Sequence, residues 1–287
     1  MFPYPRRMVS IRQMTDRDIE LGLRLKDQAG WNQTPADWRR FLGLGPEGCF
    51  VAELHDIAVA TTTTCLFGSV GWIAMVLVEE SARNLGIGRR LVEHAINDLL
   101  TRGARTVRLD ATPQGQKVYD KLGFTADYEL VRMQGTSRCV PATDAAITPM
   151  IADHIAAVAR LDAEVTATER QCLLERLLSD GGPGCGAIFR NGALAAYAMS
   201  RPGSRAAAIG PAAAASSSDA GAVLDWVLGQ LHGQSVFIDV PSENNPAIRW
   251  AGSHGLDVQR HFLRMHLGMP IQDKPDKIWA SSGPEKG

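Results

Sequence analysis

Apolar residues recur along this chain in two periods, and the alternation between them predicts a mixed order of strands and helices. Ser10–Met14 reads as a short strand. Thr15 with Asp18 three residues later has the form of a capping box, and Ile19 and Leu23 open a helical stripe that stops at Gly30. Trp31-Asn32-Gln33 is turn-prone. Thr34 followed by Pro35 then starts a second helix, with Trp38, Phe41 and Leu42 on its apolar face. Cys49–Leu54 and Ile57–Thr63 read as a hairpin closed by His55-Asp56, an unusual pair for a two-residue turn. Gly71–Val78 reads as a buried strand. Leu91–Leu100 reads as an amphipathic helix ended near Gly103, Val107–Ala111 as a strand, and Gly115–Leu122 as a short helix closed by Gly123.

The same order returns in the second half. Ile11, Met14 and Ile19 match Ile147, Met150 and Ile155 at a constant offset of 136, and the turn at Asp56 has a counterpart at Asn191-Gly192. Lys121–Phe124 likewise finds Ser253–Leu256. The pattern predicts a tandem duplication: one domain over residues 1–138, a second over 145–270, and a loose polar tail over 271–287. The boundary falls in the Pro141-containing stretch Cys139–Asp144. Each domain is expected to be an α/β layer structure, with a mixed, mostly antiparallel sheet flanked by helices.

Composition narrows the class of function. Of 287 residues, 30 are Lys or Arg and 31 are Asp or Glu, so the net charge of −1 gives no basic surface for nucleic acid. The five cysteines are odd in number and widely spaced, without a CxxC, which argues against a disulfide framework or a zinc site. His254 and His261 have no partner at metal-ligand spacing, so no metal is expected. MFPYPRRMVS lacks the apolar run of a secretory signal, and no stretch approaches a membrane span, so a cytoplasmic location is expected.

The most informative segment is Val76–Leu91, VLVEESARNLGIGRRL. An apolar strand runs into Arg83-Asn84-Leu85-Gly86-Ile87-Gly88 and then a helix. Unpaired N–H groups at a helix start form an anion site, and glycines let that backbone approach a diphosphate closely. The Walker pattern is excluded because Gly88 is followed by Arg89-Arg90, and the dinucleotide fingerprint because only Gly86 and Gly88 are present.

Arg-x-x-Gly-x-Gly after this strand, followed by Val107–Phe124 (VRLDATPQGQKVYDKLGF), resembles the two signatures of the GNAT acetyltransferase superfamily. The likeness is good over residues 8–135 and faint over 145–268. The resemblance implies an acetyl-CoA-dependent N-acetyltransferase acting on a primary amine of a small molecule, as a monomer or homodimer. It implies that Val76, Leu77 and Val78 pair with the pantetheine arm. Arg83, Asn84, Leu85, Gly86, Ile87, Gly88 and Arg89 would surround the diphosphate, with Thr112 and Tyr119 also beside the cofactor. Asn84 stands where many members have glycine, a change that asparagine's tolerance of left-handed backbone can absorb.

Tyr119 matches the family's general acid. Glu79 and Asp110 are the candidate bases, with a water chain as the alternative, and Trp31 and Asn32 border the acceptor site. The second half has no such loop, and Ala251 stands where Tyr119 would, so no turnover is expected there. Two other functions fit the same signatures: an acyl-CoA-binding sensor or scaffold without turnover, and acetylation of proteins or peptides.

Overall fold

The computed structural model describes residues 9–140 and 147–287, so the N-terminal octet and most of the expected linker lie outside the described residues. The first repeat runs β1 (Val9–Gln13), α1 (Ile19–Gln28), α2 (Pro35–Leu44), β2 (Cys49–Leu54), β3 (Ile57–Phe67), β4 (Val70–Val78), α3 (Ile87–Thr101), β5 (Thr106–Ala111), α4 (Pro113–Asp120) and β6 (Thr125–Thr136). The second runs β7 (Ile147–Pro149), α5 (Ile155–Thr166), α6 (Gln171–Ser179), β8 (Gly186–Arg190), β9 (Ala193–Arg201), β10 (Ala207–Ala214), α7 (Ser217–Gln230), β11 (Ser235–Pro241), α8 (Asn245–Ser253) and β12 (Asp257–Gly268). The order is the same in both. One strand, β13 (Ile278–Ala280), has no counterpart in the first repeat.

Local signals explain these elements. At α2 the Thr34 N–H donates to Asp37 at 2.8 Å and the Asp37 N–H returns to the Thr34 hydroxyl at 3.4 Å, a capping box with Pro35 in the first turn. The β2–β3 turn places His55 at φ 53° and Asp56 at φ 63°. Asn191 and Gly192 sit at 52° and 78° in the β8–β9 turn. Two successive left-handed residues give the twist a two-residue hairpin needs, so His-Asp does what Asn-Gly does.

The chain forms two compact units, Met1–Val107 and Arg108–Gly287, and these do not coincide with the two repeats. In the first unit β1-β2-β3-β4 form an antiparallel sheet. Ile87 and Leu91 of α3 pack there on Phe50, Ala52, Val59 and Ala60. In the second unit the strand order is β12-β6-β11-β10-β9-β8-β7, antiparallel except for β10 and β11, with α7 on one face.

The displaced boundary has a cause in pairing. Strand β6 ends the first repeat, yet it pairs with β11 and β12 of the second. Leu130 opposes Phe262, Val131 opposes His261 and Glu129 opposes Leu263. These pairs are symmetric about Leu130–Phe262 when the repeats are related by an offset of 132. Each repeat therefore lends its last strand to the other. The exchange is reciprocal in its ion pairs too. Arg264 of β12 forks both oxygens of Asp110 at 2.8 and 2.9 Å, and Arg132 of β6 forks those of Asp239 at 2.7 Å.

Both members of the Arg264–Asp110 pair are almost fully buried, at 2 % and 1 % side-chain exposure. Removing one partner from such a pair strands a charge. Arg264→Met is therefore expected to lower the free energy of unfolding in urea by about 3–5 kcal/mol, with Asp110→Leu on that background recovering most of the loss. A loss below about 1 kcal/mol would show that the fork contributes little.

The expected loose tail is corrected. Asp273 accepts from Arg108 at 2.7 Å and from the Tyr128 hydroxyl at 2.8 Å, and residues 278–283 and 285–287 are buried. Its polar composition misleads because Asp273, Ser281 and Glu285 are hydrogen-bonded inside the protein.

Candidate active site

Strand β4 departs from regular pairing where the sequence signature begins. Thr61 opposes Leu77 and Thr63 opposes Ala74, so Met75 and Val76 together face Thr62. This is a β-bulge, and Met75 takes φ 51° within it. The Thr61 hydroxyl donates to the Met75 carbonyl at 2.9 Å and the Thr62 hydroxyl to that of Ala74 at 3.2 Å. The run Thr61–Thr64 is the signal that sequence reasoning passed over: of four buried threonines in an otherwise apolar strand, the first two supply donors to a distorted neighbour.

Beyond β4 the chain makes one 3₁₀ turn, Glu80–Ala82, and enters the glycine loop. The Arg83 guanidinium turns back and donates from Nε to the Val78 carbonyl at 3.1 Å, so it braces the loop against the strand end. Asn84 is at φ 62° and Gly86 at φ 77°, both left-handed. Asparagine thus adopts the conformation expected of it. Leu85 packs with Ile87 in the α3 core, while Asn84, Gly86 and Arg89 are exposed. A Cβ on Gly86 would meet nothing within 4 Å; one on Gly88 would touch Val78 Cγ2 at 3.4 Å.

Gly86 caps α3 without any side-chain hydrogen bond, and the first turn holds no acidic residue. The first intrahelical bond runs from the Arg90 N–H to the Gly86 carbonyl at 3.1 Å, which leaves the N–H groups of Ile87, Gly88 and Arg89 ahead of it. The loop is therefore an open backbone cradle at the positive end of a helix, and it fits an anion such as a diphosphate. Arg89 pairs with Glu93 at 2.8 Å on the exposed face of α3.

The candidate acids and bases differ in their surroundings. Glu79 accepts from Gln28 Nε2 and from Arg24, both at 2.7 Å, and these hydrogen bonds hold its carboxyl below the usual carboxylate range. Burial pushes the Asp110 carboxyl upward, but both its oxygens are engaged by Arg264. Asp110 is thereby corrected from a candidate base to one half of a structural ion pair. Glu79, Trp31 and Asn32 belong to the first unit; Asp110, Thr112 and Tyr119 belong to the second. Asn32 is buried and Trp31 half-buried in the α1–α2 connection, with the Trp31 N–H donating to the Lys26 carbonyl at 2.8 Å.

Thr112 caps α4, its hydroxyl oxygen accepting from the Gly115 N–H at 3.2 Å. Tyr119 lies one turn after Gly115 on the same helix, its ring 5.8 Å from that of Phe124. Its hydroxyl has no hydrogen-bond partner among the described residues, and desolvation pushes it up to about 12. The ring leans onto the first turn: a Cβ on Gly115 would lie 2.9 Å from Tyr119 Cε2. Glycine at 115 therefore makes room for the tyrosine.

The second repeat caps its equivalent helix start and places an acid there. Ser216 caps α7 by accepting from the Asp219 N–H at 3.2 Å, and Asp219 places a carboxylate in the first turn, paired with Arg190 at 2.7 Å. An anion would find one of those donors taken and a negative charge beside them. Trp250 and His254 both engage Asp225, at 2.7 and 3.0 Å, which makes them a surface cluster of the second unit. All five cysteines are free. Among the described residues no helix is long and apolar enough to cross a membrane.

Comparison with known proteins agrees with this geometry. A family model described as the acetyltransferase (GNAT) family matches residues 18–124, and one described as an acetyltransferase (GNAT) domain matches residues 158–280. The chain is 26 % identical over 260 residues to holothin acyltransferase of Pseudoalteromonas sp. (strain SANK 73390), covering 90 % of this chain and 87 % of that one. A putative acetyltransferase from Pyrococcus horikoshii shares the fold at TM-score 0.84 and 23 % identity, over 100 % of this chain and 98 % of the other. A tandem GNAT protein from the clavulanic acid biosynthesis pathway shares it at TM-score 0.64 and 15 % identity, over 93 % and 100 % of the two chains. With one family match in each repeat and acyl transfer in the name of a relative over most of its length, this chain belongs to the GNAT acetyltransferases, as an enzyme built from two copies of their fold.

Proposed function

We propose that the first repeat, residues 1–138, transfers an acetyl group from acetyl-CoA to a primary amine of a small molecule. The observation that carries this reading is the uncapped start of α3, reached through left-handed backbone at Asn84 and Gly86. Ile87, Gly88 and Arg89 would offer N–H groups to the diphosphate, and the backbone of Val76, Leu77 and Val78 would lie along the carrier arm as an added strand does. When bound, acetyl-CoA supplies the acyl group as a thioester, with its thiol as the leaving group.

The residues of this chain then handle binding and protons. An amine attacks only when neutral. Glu79, held ionised by Gln28 and Arg24, draws the cationic form of the acceptor toward it, and solvent takes the proton. Tyr119 keeps its hydroxyl proton across the working pH range and gives it to the departing sulfur, and the proton shed by the attacking nitrogen as the amide forms passes through solvent back to the phenolate. Trp31 and Asn32 shape the acceptor side. The second repeat, without an open helix start and with Ala251 in place of a tyrosine, turns over no acyl-CoA.

Release of free thiol from acetyl-CoA in the presence of a panel of amines tests the reading. Release that depends on particular small amines supports it. Binding of CoA with no release from any amine would overturn it in favour of a sensor, and release with peptides alone would move the acceptor to a protein terminus or side chain. A subsidiary result is expected at Gly115: Gly115→Ala pushes the Tyr119 ring aside and should lower kcat several-fold while leaving CoA affinity within about twofold, measured by steady-state kinetics and calorimetry.

A further inference from the structure

Where β10 and β11 part, another piece of the same chain lies between them. The two strands pair in parallel only from Ala207–Val236 to Ile209–Ile238. Past that point β10 takes up β13 instead, with Ala212 opposite Ala280 and Ala213 opposite Ile278. On the other side the Ser281 N–H donates to the Asp239 carbonyl of β11 at 2.8 Å.

The residues beyond β13 stay inside. Asn244, the cap of α8, donates from Nδ2 to the Ile278 carbonyl at 2.9 Å. Arg264 reaches the Ser281 hydroxyl at 3.4 Å. Arg201 donates to both oxygens of Glu285 at 3.2 Å. Arg170, itself forked on Asp162 beside Tyr197, donates to the backbone oxygens of Lys286 and Gly287. Gly210 has no Cβ to spare here: one would lie 1.9 Å from the Ser281 carbonyl oxygen.

The internal repeat says what this place is. In β4 the bulge sets Met75 and Val76 against Thr62. In β10 the residues Gly210 and Pro211 stand against Met199 in the same way, because Ile209 opposes Ser200 and Ala212 opposes Ala198. Counted from the bulge, Ala212 and Ala213 are the equivalents of Leu77 and Val78, and Asn244 is the equivalent of Thr112, both being helix caps. The strand β13 thus pairs with the two residues of the second repeat that correspond to the end of β4.

We infer that the second repeat is a peptide-binding cleft and that residues 278–287 of this chain are its occupant. The ligand class is an extended peptide. It is held by strand addition to β10 on one edge and by Asn244, Arg201 and Arg170 along its backbone and its acidic side chain. The cleft is filled in cis and admits no free carrier or acceptor. The inference stands on the duplication and on these contacts, independently of whether the first repeat acetylates an amine.

Two measurements test it, both separate from acetyl transfer. Hydrogen exchange on the intact chain should show the Ser281 amide protected at least 10²-fold over a free peptide of the same sequence; exchange at the free-peptide rate would overturn the inference. For the second, a site-specific protease sequence is inserted after the exposed Asp276 and cut in the folded protein. The released end should co-elute with the body in gel filtration and exchange with a labelled synthetic peptide of residues 278–287. A peptide carrying Glu285→Ala should compete at least tenfold less well. Loss of the cut segment on the column, together with no uptake of the labelled peptide, would show that no such cleft exists.

Discussion

CoA affinity should fall by about 10³-fold or more when Gly86 is replaced by glutamate, as read by calorimetry. The position is at φ 77°, and a Cβ there would have no atom within 4 Å, so a glutamate has room to extend in front of the helix. The room is what makes the substitution damaging, because the carboxylate reaches the place where a diphosphate would sit. Two like charges about 4 Å apart near a protein surface repel by roughly 4 kcal/mol, and that energy corresponds to about a thousandfold in affinity. The backbone adds its own cost, about 1–2 kcal/mol for a side chain in left-handed conformation. Gly86→Asn separates the two effects, since asparagine tolerates that conformation, as Asn84 does two residues earlier, and brings no charge. It should bind CoA within about tenfold of the parent. If the glutamate variant binds normally, the loop is not the anion cradle.

The second large effect is expected at Tyr119. Tyr119→Phe should lower kcat roughly 10²-fold, the lower end of what a positioned proton donor contributes, with CoA affinity within about threefold. Equal turnover in the two proteins would remove Tyr119 from the mechanism. The hydroxyl near 12 also fixes the sign of a pH effect. Below pH 10 both folded and unfolded chains keep the phenol proton. Between about 10 and 12 the unfolded chain loses it while the folded one retains it, so stability falls as pH rises through that window. Tyr128, also pushed up to about 12 by burial, acts in the same direction. The alkaline loss of stability should therefore be shallower in Tyr119→Phe, and no alkaline limb of the rate below about pH 12 should trace to this residue.

Much of the fold was legible because the local signals agree with one another. Thr34-Pro35 starts a helix in sequence and in structure, and the Gly-x-Gly loop meets its helix as the pattern requires. The 136-residue offset, read from a handful of apolar positions, reappears at Ile19 and Ile155, where α1 and α5 begin. What sequence periodicity could not supply was non-local pairing. Nothing in Thr125–Thr136 states that its hydrogen bonds go to β11 and β12 of the other repeat. Asp110 looked like a free carboxylate because its partner, Arg264, is 154 residues away. The polar stretch after Gln272 looked solvated because the arginines that take its oxygens, Arg170 and Arg201, lie far upstream. The bulge in β4 was half-visible: the threonine run recorded it, but only the register showed what the hydroxyls serve.

The mutual loan of β6 and β12 bears on how this protein can be taken apart. Residues 1–138 expressed alone would end in a strand with open edges on both sides, and the remainder would lack the ladder that β11 and β12 share. Neither piece should be soluble by itself, while the two produced together should find each other and restore one molecule. Evolution would then have little freedom to separate one copy from the other, because each would be retained as the scaffold its sibling needs to exist.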